Sequence, residues 1–132
     1  MSTQMLTASH FIAVAMGASA GAWLRWILGL WLNRHAQAFP WGTLTANMLG
    51  GYLVGLVLSV VSAHPDWPPF WRLLLITGFM GGLTTFSTFS AETVAFLEEG
   101  RFAVALGYAG VSLAGSLVLT MLGLMTGHLF RA

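Results

Sequence analysis

Thirteen residues near the middle of the chain, Gly78-Phe-Met-Gly-Gly-Leu-Thr-Thr-Phe-Ser-Thr-Phe-Ser90, concentrate polar chemistry in an apolar setting. They fall in a charge-free run from Leu73 to Ala91 that is long enough to enter a bilayer. A lipid-facing helix would carry Leu, Ile and Val there, and this run carries glycines and hydroxyls instead. Irregular backbone in hydrocarbon is tolerated only where protein or a water-filled cavity surrounds it. Gly81-Gly82 followed by five hydroxyl residues therefore points to a third helix broken near Gly81–Thr85, buried at an interface beside a polar path. Phe86 and Phe89, three apart, share a helix face. A second reading is a tightly packed transmembrane helix, with Gly78 and Gly82 as a small-xxx-small pair and the hydroxyls as interhelical hydrogen-bonding groups. This stretch alone leaves both open.

Other polar residues fall inside apolar runs. Asn47 follows Thr43 by one helical turn, so both point the same way, and its amide offers two donors and an oxygen. Tyr108, Ser112, Ser116 and Thr120 recur every four residues as one hydroxyl stripe, either the wall of a narrow aqueous track or a hydrogen-bonded seam. Arg25 lies well inside the first apolar run, where insertion costs about 2.5–3.5 kcal/mol unless it has a vestibule, a partner or a snorkelling route. Glu92, near the end of the third run, is peripheral; it could cap the donor array or pair with Arg25 of a neighbouring copy. Glu98 and Glu99 read as solvated, and the four histidines show no ligand spacing.

This inventory excludes several chemistries. No Ser/His/Asp set or paired carboxylates occur within the apolar runs, so an enzyme is not expected. Without lysine, Gly81-Gly82 is no phosphate loop. Ion-coupled transport calls for a titratable carboxylate or histidine midway through a span, which leaves passive permeation. The donors are an amide, hydroxyls and aromatic ring edges, which carry positive potential. Cation filters are commonly carboxylate rings or stacked carbonyls. The residues therefore support a small-anion channel.

These side chains need a scaffold that holds them in a membrane. The chain of 132 residues is 57% hydrophobic and 7% charged, too few charges to cover a soluble fold. It has no cysteine, and a net charge of +1 without a basic cluster argues against nucleic acid. Residues 1–10 lack the positive start of a secretory signal. Four runs of about 20 or more residues can span, at about 11–32, 41–62, 70–97 and 102–129. The expectation is a single four-helix transmembrane domain over 1–132. Trp31, Trp41, Trp67 and Trp71 flank the spans as interfacial belts do. Arg34 and Arg101 fall on one face, and Arg72 and Arg131 on the other, so the charge bias that fixes topology is missing. Such a chain can insert both ways, which predicts an antiparallel dual-topology homodimer.

Gly81-Gly-Leu-Thr-Thr-Phe-Ser-Thr-Phe-Ser90 resembles the signature of the Fluc (CrcB) family of bacterial fluoride channels. Gly21-Ala-Trp-Leu-Arg25-Trp, Gly42-Thr-Leu-Thr-Ala-Asn47 and Gly115-Ser116 are similar to its other segments, in the same order. The resemblance implies an inner-membrane antiparallel dimer with two fluoride pores and a central sodium ion. It implies a passive function: fluoride trapped in the cytoplasm after entry as HF leaks out down its gradient. Phe86 and Phe89 would supply ring edges to fluoride, with Asn47 a pore donor and Thr43 nearby. Tyr108, Ser112 and Ser116 would line the track, Ser112 standing where some members have histidine. Arg25 would lie near a vestibule, and the carbonyls of Gly81 and Thr84 would hold sodium. The rival readings are a small multidrug-type proton-coupled exporter, which needs an acid in its first span, and a non-transporting membrane assembly subunit.

Overall fold

The computed structural model describes residues 6–33 and 39–131. All regular structure among them is helical: α1 (Ala8–Leu32), α2 (Trp41–Ala63), α3 (Pro69–Arg72), a π-helical stretch (Leu73–Met80), α4 (Gly81–Leu83), α5 (Phe86–Glu98) and α6 (Phe102–Leu129). Four stretches are long and apolar enough to cross a membrane: Ala8–Leu32, Trp41–Ala63, Pro69–Glu98 and Phe102–Leu129. The all-α architecture with four spans is thus as the apolar runs require. Of the arginines that compare the two membrane faces, Arg34 lies outside the described residues.

Packing follows the small residues. α2 runs along α6, and α1 along the π-helical stretch and α4. A side chain at Gly78 would begin 3.0 Å from the Gly17 Cα and 2.9 Å from the Val14 carbonyl. At the other pairing, Gly123 of α6 lies against the Tyr52 carbonyl and the Leu56 amide of α2. Backbones this close leave no room for a Cβ, and close approach is what drives association where lipid is as apolar as leucine. Leu106, Leu113, Leu117 and Met121 of α6 accordingly remain exposed, while Ala13, Ala46, Leu83 and Tyr108 are buried.

The third span is irregular along half its length. It opens as α3 with Pro69 in the first turn, where its missing N–H is no loss, and then widens into π-helix. α4 ends at Leu83, and Thr84 (φ −89°, ψ 151°) and Thr85 (φ −147°, ψ 125°) are extended. Thr85 then caps α5, its hydroxyl accepting the Thr88 N–H at 3.2 Å. α5 closes on Gly100 at φ 74°, with the Arg101 N–H donating to the Phe96 carbonyl at 2.8 Å and the Gly100 N–H to Leu97 at 3.0 Å. That reversal needs a left-handed residue, which glycine supplies. It lays α6 back against α5.

Candidate functional site

A groove of about 500 Å³ lies between α2, the extended Thr84–Thr85 step, α5 and α6. Asn47, Gly81, Thr84, Phe86, Phe89, Ser112 and Ser116 all line it, so seven of the ten sequence candidates converge. Thr43, Tyr108 and Arg25 do not line it. Phe86 is 79% exposed, whereas Phe89 is partly buried. Their ring centroids are 5.8 Å apart at 50°, and Phe89 continues to Tyr108 at 5.1 Å. Aromatic surface therefore runs from the outside of the groove inward. Beyond Tyr108 it continues to Phe39, edge-on at 5.3 Å, and to Phe96 at 6.0 Å.

The hydroxyl stripe of α6 divides into parts with different tasks. Ser112 Oγ is buried without a hydrogen-bond partner, one of two such side-chain atoms among the described residues. Ser116 donates to the Leu113 carbonyl of its own helix at 3.0 Å. Thr120 donates to Gly51 of α2 at 2.9 Å and to Ser116 at 2.8 Å, so it belongs to the α2–α6 seam. Even spacing made these residues look equivalent. The neighbours of α6, which change along its length, separate them.

Behind the groove, the Thr43 hydroxyl donates to Glu92 Oε1 at 2.6 Å and the Tyr108 hydroxyl to Glu92 Oε2 at 2.9 Å. The reading of Glu92 as peripheral is thereby corrected: it links α2, α5 and α6 through Thr43 and Tyr108, and the Tyr108 ring packs on Phe89. Its position three residues after Phe89 puts it on the same face, which was the available sequence signal. Both carboxylate oxygens accept, and the two hydroxyl protons are directed at Glu92. Arg25 donates from Nε to the Gly82 carbonyl at 3.1 Å, capping the end of α4 with a cation.

Asn47 also has a more specific task than pore lining. Its Oδ1 accepts the Thr85 N–H at 2.8 Å and its Nδ2 donates to the Thr85 carbonyl at 3.1 Å. One amide proton remains for a ligand in the groove. Among the described residues no three His, Cys, Asp or Glu side chains group as metal ligands, and the oxygens that a hard cation could take here include backbone carbonyls. Gly81 and Thr84 suit that use. The N–H groups four residues on from each, on Thr85 and Thr88, donate to side-chain oxygens instead.

Residues 12–124 match the family described as CrcB-like protein, Camphor Resistance (CrcB). The chain belongs to the CrcB family. All the candidate residues, from Arg25 to Ser116, and Glu92 as well, lie within the matched region. Relatives of this CrcB protein are named fluoride-specific ion channel FluC. The one from Bordetella avium is 63% identical over 125 residues, covering 95% of this chain and 98% of its own. That of Bordetella petrii is 60% identical over 129 residues, covering 98% and 99%. That of Tolumonas auensis is 53% identical over 120 residues, covering 91% and 94%. With its four spans, the CrcB chain is a multi-pass membrane protein. Its groove offers neutral donors and aromatic surface backed by a carboxylate already satisfied by two hydroxyls.

Proposed function

We propose that this protein is a fluoride-selective passive channel, not an enzyme. It lets cytoplasmic fluoride leave across the bacterial inner membrane and so lowers its internal concentration. The names of its relatives support fluoride as the ion. The observation that carries the reading is Ser112, 8% exposed, its hydroxyl unpartnered beside the groove lined by Phe86 and Phe89. An unpaired buried hydroxyl costs about 1–3 kcal/mol, which a desolvated anion accepting its proton would offset. Phe86, Phe89, the remaining Asn47 proton, Ser112 and Ser116 form the conduit. Thr43 and Tyr108 support it through Glu92, and Arg25 lies near the vestibule.

The functional unit is an antiparallel dual-topology homodimer. The exposure of Phe86 supports this, since a second copy over the groove would enclose a path that one chain leaves open to lipid. Sodium at the dimer centre would be held by the Gly81 and Thr84 carbonyls of both copies. It would join the interrupted spans and offset the charge of the passing anion. A proton-coupled multidrug exporter needs an acid in its first span, and α1 carries Arg25 and no carboxylate. A non-transporting assembly subunit gives no reason for the unpartnered Ser112. Purified protein in liposomes should release fluoride rapidly and chloride hardly at all; equal release of both would reject the selectivity.

A further inference from the structure

We propose that Asn47 is a positioning residue for the cation site: it holds the third span apart at Thr85, so that the Gly81 and Thr84 carbonyls stay available to sodium. This deepens the channel reading and rests on it for the identity of the cation. In a continuous α-helix each N–H donates to the carbonyl four residues earlier. After the π-helical stretch, α4 makes this bond at Thr84, whose N–H donates to the Met80 carbonyl at 3.0 Å. The next bond in the series, Thr85 N–H to Gly81, is replaced by Thr85 N–H to Asn47 Oδ1 at 2.8 Å. Asn47 Nδ2 returns a bond to the Thr85 carbonyl at 3.1 Å. From α2, one side chain thus makes the two-bond pairing that a neighbouring strand would make to an extended residue.

The consequence reaches the next turn. With Thr85 held extended, its hydroxyl can cap α5, and the Thr88 N–H donates to it at 3.2 Å rather than to the Thr84 carbonyl. Neighbouring carbonyls are already engaged: Met80 accepts from the Thr84 N–H and hydroxyl, and Gly82 from Arg25. Gly81 and Thr84 thus lose their helical donors to hydrogen bonds that Asn47 sets in place. Carbonyl oxygens without donors are costly in a membrane, and hard cations take oxygen ligands. Asn47 also lines the groove with Phe86 and Ser112, so one residue bears on both the cation site and the anion path.

The test is melting of the purified full-length protein in saturating sodium and in N-methyl-glucamine, with sodium titrated to give an apparent affinity. Sodium should raise the melting temperature of the unaltered protein by ligand linkage. Asn47→Leu, similar in size but unable to pair with Thr85, returns the Thr85 N–H to Gly81. Its apparent sodium affinity should fall about tenfold, the order of one net hydrogen bond that must break before the carbonyl is available. Asn47→Asp keeps an acceptor for the Thr85 N–H and should retain the sodium response that Asn47→Leu loses, a contrast between two side chains of similar size that a merely space-filling role would not give. If Asn47→Leu does not assemble, Thr85→Val, which removes the hydroxyl that diverts Thr88, should show the weakened response instead. A sodium response in Asn47→Leu or Thr85→Val equal to that of the unaltered protein overturns the proposal, as does the absence of any response in the unaltered protein. Fluoride efflux is scored separately. A protein that releases fluoride while Asn47→Leu binds sodium normally keeps the channel and loses the clamp. One that shows the predicted sodium pattern but no efflux keeps the clamp and loses the channel.

Discussion

Removing the Ser112 hydroxyl should move stability and conduction in opposite directions. In the folded chain Ser112 Oγ is buried and makes no hydrogen bond, so Ser112→Ala breaks no contact that holds the fold. It also deletes a polar group whose unpaired burial costs about 1–3 kcal/mol, so the melting temperature should stay level or rise. Conduction has the opposite sign. A hydrogen bond to a charged group contributes about 1.5–3 kcal/mol, and that support would be lost to an anion in the groove. Where barrier height limits passage, the loss is roughly a 10- to 150-fold drop in fluoride flux. Efflux from liposomes followed with a fluoride electrode gives the flux, and tryptophan fluorescence during heating gives the stability. Unchanged flux together with a clear fall in melting temperature would refute the assignment, because Ser112 would then serve the fold and not the ion.

Phe86→Ile and Phe89→Ile should each lower fluoride efflux while the dimer persists by size-exclusion chromatography; normal flux in both removes the rings from the pathway. Tyr108→Phe and Thr43→Val each remove one donor to Glu92. Each should cost about 1.5–3 kcal/mol of stability, and because both act on one carboxylate the double variant should depart from additivity. Additive melting shifts would show that Glu92 does not couple them.

The four spans were legible because hydrocarbon thickness sets a minimum apolar length, and runs from Phe11, Trp41, Phe70 and Phe102 meet it. The widening of Leu73–Met80 into π-helix was not. Those residues would suit an ordinary helix, and what marks the stretch is the backbone contact of Gly78 with Gly17, far away in sequence. The position of Asn47 was legible but not its partner, since an asparagine facing Thr85 and one facing an ion have the same spacing from Thr43. Glu92 was undervalued for lying near the end of its span. Periodicity puts it on the face of Phe89, and only the placement of Thr43 and Tyr108 against it brings it into the site. The α6 stripe taught the same lesson in reverse. Four hydroxyls equal in sequence became one bound to a carboxylate, one unpaired, one turned to its own helix and one holding the α2 seam.

The central claim is that two such chains make a conduit of neutral donors selective for fluoride. Its most direct test is halide release from liposomes loaded in parallel with fluoride and with chloride and reconstituted at equal protein density. Rapid fluoride release with chloride retained as well as in protein-free vesicles is the predicted result. Fluoride retained as well as in protein-free vesicles, or chloride released at the same rate as fluoride, would contradict it.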